Sequence, residues 1–214
     1  MTATDWARSR RLALRELTPA DHQAVLEMHR DPRLRAFLLD EYRLDDSPFV
    51  RLFLDRIGAF YRRHEGLGIW HATWLGAPPQ FAGWFNLTPI AGRPGEVEIG
   101  SRLRPEVWGA SLALEGGEML LDHAFDDLGL ERVWGICHPG NRSAKVVLLA
   151  LGFESAGDLP HGGHPASHYQ IGMNAWRRLR NTASGTRLRR ALRLLARPGR
   201  SDRPAIDSLE ELPA

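Results

Sequence analysis

The chain has a single cysteine, Cys137, so no internal disulfide can form. Nowhere does it approach the ~18 consecutive apolar residues that a membrane-spanning helix needs. Its first residues, Met1-Thr2-Ala3-Thr4-Asp5-Trp6-Ala7-Arg8, lack the apolar stretch of a secretory signal. Together these absences predict a reducing, cytoplasmic compartment. Internal repeats are absent too. Residues 1–173 lack a basic excess: they carry 18 basic and 22 acidic side chains, a net of −4 beneath an overall +2. Acids are missing in turn from residues 174–200, which hold nine arginines. The positive charge therefore lies in the tail, and the mildly acidic remainder lacks the basic footprint of a nucleic-acid binder. Sequence-specific nucleic-acid binding is not expected.

What is present suffices for one ordinary domain with an appendage: 214 residues, 43% of them hydrophobic. Residues 1–9 form a loose, flexible lead-in, residues 10–178 the domain, and residues 179–214 an Arg-rich extension, helical at first and then disordered over 198–214. Leu12, Leu14 and Leu17 mark a first strand. Thr18-Pro19 starts a helix that runs to about Arg30, Thr18 as cap and Pro19 in the first turn. A second helix spans Pro48 to His64, with Phe49, Leu52, Phe53, Ile57, Phe60 and Tyr61 on one face. The period then changes. Gly68–Leu75, Phe81–Pro89 and Glu96–Leu103 are strands separated by turns at Gly76-Ala77-Pro78-Pro79 and Gly92-Arg93-Pro94-Gly95. A helix over 109–128, a strand over 132–138, a helix over 142–151 and strands near 153–156 and 167–174 complete the order. This is an α/β pattern with a mixed sheet of about seven strands flanked by helices.

The segment Pro105 to Phe153 carries the most information. Small residues from Trp108 to Ala113 open a helix, which offers unpaired backbone N–H groups and the positive end of a dipole to an anion. The expectation is a phosphate or pyrophosphate site at residues 108–113. A strand, Pro139-Gly140-Asn141 and a second helix ending at Gly152-Phe153 lie beside it, suited to the rest of a long, thin ligand.

At these residues the chain resembles the GNAT acyltransferases, most closely the branch of the Rim-type ribosomal-protein N-terminal acetyltransferases. The branch pattern W-G-x-G-x-A-x-E-A stands here as Trp108-Gly109-Ala110-Ser111-Leu112-Ala113-Leu114-Glu115-Gly116. The later pattern, N-x-x-S followed by L-G-F, stands as Asn141-Arg142-Ser143-Ala144 and Leu151-Gly152-Phe153. Arg11–Arg15, Asp31-Pro32-Arg33 and Glu98-Ile99-Gly100 add to the likeness, which covers roughly residues 10–178. The resemblance implies a sheet splayed open between its fourth and fifth strands, with acetyl-CoA as co-substrate lying along residues 101–113 and 141–145. The binding residues would be Ser101, Arg102, Leu103, Trp108, Gly109, Ala110, Ser111, Leu112, Ala113, Asn141 and Lys145. It also implies direct transfer of acetyl to an amine, either a protein N-terminus or a small-molecule amine such as an aminoglycoside or polyamine.

Such transfer needs a neutral amine, a donor for the developing oxyanion and an exit for the thiolate. Glu98 is the candidate base; it shares a strand face with Glu96 and Gly100, and His138 is a rival. The resemblance gives the oxyanion to a backbone N–H near Ser101 to Leu103 and the pantetheine amides to Asn141. Three positions depart from the family pattern. Ser111 replaces the second glycine, Ala144 stands where the branch has a serine, and Leu148 stands where many members have a tyrosine. Ser143 is one residue early, about 100° away on a helix, and serves equally well as a helix-start cap.

Other chemistry-bearing residues have plainer readings. Cys137 is a buried, inert thiol, since His138 points to the opposite strand face. His161, His164 and His168 have metal-like spacing but sit in a Gly-Gly-Pro loop, so no metal is expected and an acceptor-lining loop is favoured. Trp70, Trp74 and Trp84 are core residues, one of them a candidate wall of the acceptor pocket. Leu188, Ala191, Leu192 and Leu195 form an apolar stripe among arginines over Arg187 to Arg197. That helix packs on its own domain or a dimer mate with its arginines solvated, or it touches an anionic surface or partner. Two rival functions stay open: a non-catalytic GNAT-like acyl-CoA-binding or interaction module, and a transferase of longer acyl groups.

Overall fold

Alternating leucines and small residues near the N-terminus build a sheet edge earlier than expected. In the computed structural model, which describes residues 5–39 and 43–196, Ala7–Arg8 (β1) pairs antiparallel with Leu12–Glu16 (β2). Trp6 stacks on Trp70 at 4.3 Å. Ala7 and Arg8 are thus paired into the sheet, within a segment expected to be a loose lead-in; the Trp6 indole gains more by covering Trp70 than by staying in water. The expected disorder of 198–214 lies outside the described residues.

The chain continues through α1 (His22–Arg30), α2 (Pro32–Arg35) and α3 (Ser47–Tyr61), then β3 (Gly68–Trp74), β4 (Gln80–Pro89) and β5 (Val97–Leu103). After β5 come α4 (Leu112–Asp122), β6 (Arg132–Cys137), α5 (Arg142–Ala150), β7 (Glu154–His161), β8 (His164–Gly172), α6 (Met173–Leu179) and α7 (Ser184–Ala196). The eight strands form one mixed sheet in the order β1-β2-β3-β4-β5-β6-β8-β7. Among the described residues only β5 and β6 run parallel; every other neighbouring pair is antiparallel.

Each sheet face has its own core. One holds Leu12, Leu14, Trp70, Phe85, Leu87, Ile99 and Leu103 beneath Leu112, Leu120, Leu148 and Leu151 of the α4 and α5 segments. The other holds Trp84 beneath Leu26, Val50, Leu54 and Ile57 of α1 and α3. The buried stripe of α3 is therefore Val50, Leu54 and Ile57, whereas Phe49 and Leu52, expected in it, are exposed. Phe53 and Tyr61 remain at its margin.

α4 starts at Leu112, after the small-residue loop, and ends early. From His123 to Asp127 the backbone widens by one residue per turn, with Leu128 N–H donating to His123 O at 3.0 Å. The histidine loop is a long hairpin, β7–β8, turning at Gly162-Gly163, both with positive φ. α7 packs on α5, and Arg187 is buried instead of solvated. Its guanidinium pairs with Glu118 of α4 and donates to Ala150 O at 3.3 Å. No helix among the described residues is long and apolar enough to cross a membrane.

Candidate active site

The one parallel junction of the sheet is its weak seam. β5 and β6 pair only at Glu98 with Trp134 and Ile99 with Gly135. From Gly100 to Leu103, β5 continues beside β4, while Ile136 and Cys137 continue beside β8. The strands part after Ile99, leaving the β6-facing edge of β5 open. Backbone groups on such an edge need a partner.

The helix α4 starts beside this opening. Ser111, its N-cap, has φ 60° and ψ 19°, the left-handed conformation that favours glycine, and Gly109 has φ 81°. The glycine of the family pattern is thus a backbone requirement at position 111, which serine meets with some strain. Ser111 makes no side-chain cap to the helix, so the first-turn N–H groups of α4 are not covered by it. Loop and helix are tied to the turn between β1 and β2. Glu115 accepts from Ser9 Oγ at 2.6 Å, Arg11 N–H at 3.1 Å and Arg11 Nε at 2.6 Å, and Arg11 also donates to Ala110 O at 2.8 Å. Burial works to raise the Glu115 carboxyl, but those hydrogen bonds outweigh it and hold it below its usual range. Trp108, half exposed, ties the loop to the end of β5, its Nε1 donating to Leu103 O at 2.8 Å. Small side chains, exposed helix-start N–H groups and a left-handed turn fit a pyrophosphate.

On the opposite sheet face lies Glu98, with Gly100 and Arg102. Burial raises the Glu98 carboxyl from 4.5 to about 7, and the Arg102 charge opposes the rise only in part. Arg102 is held over Trp84, its guanidinium carbon 5.2 Å from the ring centroid, and lies 3.2 Å from His29 Nε2. His29 Nδ1 donates to Val25 O at 2.9 Å, so Nε2 is the accepting nitrogen. Gly100 makes room for Asn86: a Cβ there would come within 2.6 Å of Asn86 Oδ1. Ser101 turns to the other face, with Phe85 as its cross-strand partner.

The remaining candidates gather at the start of α5. Asn141 caps the helix, its Oδ1 accepting from Ala144 N–H at 3.0 Å, which leaves its amide N–H₂ as a donor. The cap is thus Asn141 and not Ser143, which is exposed; Ala144 is the residue packed toward the core. Lys145 lies close enough to Cys137 to oppose the effect of burial, which nevertheless pushes that thiol up to about 11. Cys137 is therefore a protonated core residue. Leu148 is buried against Gly135. His138, the rival base, accepts from Gly140 N–H at 3.0 Å and contacts Phe37. Of the histidine trio, His161 and His168 meet at 6.2 Å. Among the described residues no three His, Cys, Asp or Glu converge as a metal site.

Two side chains that motif reading missed lie in one row with Glu98: Trp134, opposite it on β6, and Gln170, opposite Trp134 on β8. The period-2 alternation of each strand gives their faces, but only the cross-strand register puts them in one row.

A sequence model described as an acetyltransferase (GNAT) domain matches residues 11–154. The FsC-acetyl coenzyme A-N(2)-transacetylase of Aspergillus fumigatus is 33% identical over 88 residues. That span covers 37% of this chain and only 37% of that protein. Among solved structures, Mycobacterium smegmatis RimJ in complex with CoA-disulfide superposes with a TM-score of 0.67 at 18% identity, covering 85% of this chain and 90% of that one. RimL, described as a ribosomal L7/L12 alpha-N-protein acetyltransferase in complex with coenzyme A, gives 0.68 at 16% identity, over 80% and 99%. The ribosomal-protein-S5-alanine acetyltransferase of Vibrio fischeri gives 0.65 at 15%, over 79% and 97%. At these identities the structural likeness is one of fold.

Proposed function

Because the chain belongs to the GNAT acetyltransferase family, we propose that it moves an acetyl group from acetyl-CoA directly to a primary amine, with Glu98 as the base that takes the amine's proton. One observation carries this reading: a carboxylate raised to about 7 by burial, on the strand where the sheet opens. A base works best with a pKa near the working pH. An aqueous carboxylate near 4 would be too weak for an amine, whereas Glu98 both holds and releases a proton near neutrality.

Acetyl-CoA is the co-substrate. Its pyrophosphate would meet the α4 start at Trp108, Gly109, Ala110, Ser111, Leu112 and Ala113. Its pantetheine arm would follow β5 at Ser101, Arg102 and Leu103 and the α5 start at Asn141 and Lys145. The neutral amine attacks the thioester carbonyl carbon. The new C–N bond forms, and Glu98, directly or through a water, takes the ammonium proton. An open-edge N–H of β5 bonds the oxyanion. Collapse of that adduct breaks the C–S bond and releases CoA as a thiolate. No side chain is needed to protonate it: the α5 N-terminus favours negative charge, and solvent supplies the proton. Ser143, exposed, is left without that part. The acceptor is a protein N-terminus or a small-molecule amine, in keeping with the relatives' descriptions.

Calorimetric titration with acetyl-CoA, followed by thiol release with an amine panel, tests the reading. Tight binding, turnover, and loss of turnover but not of binding in Glu98→Gln are expected. Binding with no turnover of any amine would favour the non-catalytic module instead.

A further inference from the structure

Three buried polar atoms on the Glu98 face have no hydrogen-bond partner among the described residues: Trp134 Nε1, His168 Nδ1 and Gln170 Oε1. They form one patch. Trp134 stands opposite Glu98 on one side and Gln170 on the other, and His168 is one step along β8 on the same face. The Trp134 and His168 rings meet edge to face at 6.5 Å. His168 is 1% exposed. An unmade hydrogen bond in such a place is costly, so three in the patch that adjoins the proposed base call for an explanation.

Their chemistry is defined. The indole N–H only donates, and Gln170 Oε1 only accepts. His168 Nε2 lies 3.2 Å from Leu159 O, so Nε2 carries the proton and Nδ1 accepts. Burial and the Arg93 charge hold this imidazole below its usual pKa, hence neutral. The patch offers one donor and two acceptors. Two guanidinium groups flank the indole, Arg93 at 5.0 Å and Arg132 at 5.8 Å from its centroid. An open cleft of about 410 Å³, lined by Arg93, Pro94, Glu96 and Trp134, reaches the patch at its indole.

We propose that Trp134, His168 and Gln170 form the acceptor-recognition subsite, and that it takes an amine whose neighbouring carbon carries a neutral amide. The amide carbonyl accepts from Trp134 Nε1, and the amide N–H donates to Gln170 Oε1 or His168 Nδ1. The inference rests on the transferase reading, with Glu98 as base, and specifies its acceptor. A plain alkylamine leaves all three atoms unmatched. A polyamine brings donors only, and its second ammonium sits beside two guanidinium groups. A free amino acid brings the arginines a carboxylate but gives the two acceptors no donor.

The test uses four amines with the acetyl-CoA-loaded protein: L-alanine N-methylamide, L-alanine, putrescine and n-propylamine. Thiol release is compared per neutral amine, and the N-methylamide is also titrated into the CoA complex by ligand-observed NMR. The N-methylamide is expected to exceed the other three in kcat/KM. Trp134→Phe, which keeps the ring, and Gln170→Leu should each weaken N-methylamide binding about fivefold or more, the worth of one hydrogen bond, with acetyl-CoA affinity retained as the check on folding. Preference for another amine, or variants that bind the N-methylamide as wild type does, would overturn the subsite. Acetyl-CoA binding without turnover of any amine would sink the transferase reading alone. The NMR titration then still decides: binding lost in Trp134→Phe supports the subsite, and no binding by the wild type overturns it.

Discussion

As the proposed base, Glu98 would couple activity and stability to pH in opposite senses. A base must be deprotonated, so on that proposal kcat/KM should rise with pH through about 7. Glu98→Gln should remove that inflection and lower kcat on the order of 10²-fold, read from pH–rate profiles. For stability, the carboxyl is near 4.5 unfolded and about 7 folded. Between those values the native state holds the extra proton, so stability falls as pH rises from 4.5 to 7. Above pH 7, Glu98→Gln should be the more stable protein by at most about 3 kcal/mol, less to the extent that solvent reaches the carboxyl; near pH 4 the two should converge. Urea unfolding of both proteins checks this, and the difference cancels His71. That buried imidazole, lowered from 6.5 to about 4 mainly by burial, costs stability as pH falls through the same range. Ser111 is the second residue of consequence. Ser111→Gly removes a side chain from φ 60°, and should raise stability by up to about 1 kcal/mol while leaving acetyl-CoA affinity equal or better. A tenfold loss of affinity on calorimetry would show that the serine hydroxyl binds the ligand.

The helices that frame the opening depend on contacts no local pattern announces. α4 rests on β4 through Gly116, where a Cβ would lie 2.2 Å from Phe85 Cζ, and Phe85 is fully buried. Gly116→Ala should therefore cost about 1–3 kcal/mol by overpacking, although alanine is the better helix former. A Tm equal to or above wild type would refute that packing account. α7 ties α4 to α5 through Arg187, which pairs with Glu118, donates to Ala150 O and stacks 5.8 Å from the Trp176 ring centroid. Arg187→Ala should cost about 2–4 kcal/mol, moderated because Glu118 keeps access to water. Thermal unfolding would register that as a fall of several degrees. The Arg-rich composition suggested a solvated surface here. It misled because charge runs do not say which one member finds a partner: Arg187 is buried while Arg189, Arg190 and Arg193 around it are exposed. Leu192 and Leu194 are exposed in turn.

At the scale of the whole molecule, much was legible in the chain itself. Strand alternation placed Glu98 on one face with Glu96 and Gly100, because side-chain direction on a strand is a local property. Small residues before Leu112 marked a helix start suited to an anion, because unpaired first-turn N–H groups belong to any helix. The order of elements and the motifs between Trp108 and Phe153 pointed to the family. The chain did not reveal that Phe49 and Leu52 face out, that Trp6 completes the sheet edge, or that Asn141 and not Ser143 caps α5. Nor did it reveal the row Glu98–Trp134–Gln170, because three residues from distant segments meet only through register. The raised carboxyl follows from the same cause, since burial is a sum over everything packed around a group. Sequence by itself determined the elements, their faces and the anion-ready turn, all set by interactions within a few residues. Tertiary structure alone decided where the sheet parts, what Glu98 is buried beside and which buried polar atoms find no partner among the described residues, because each depends on segments that only folding brings together.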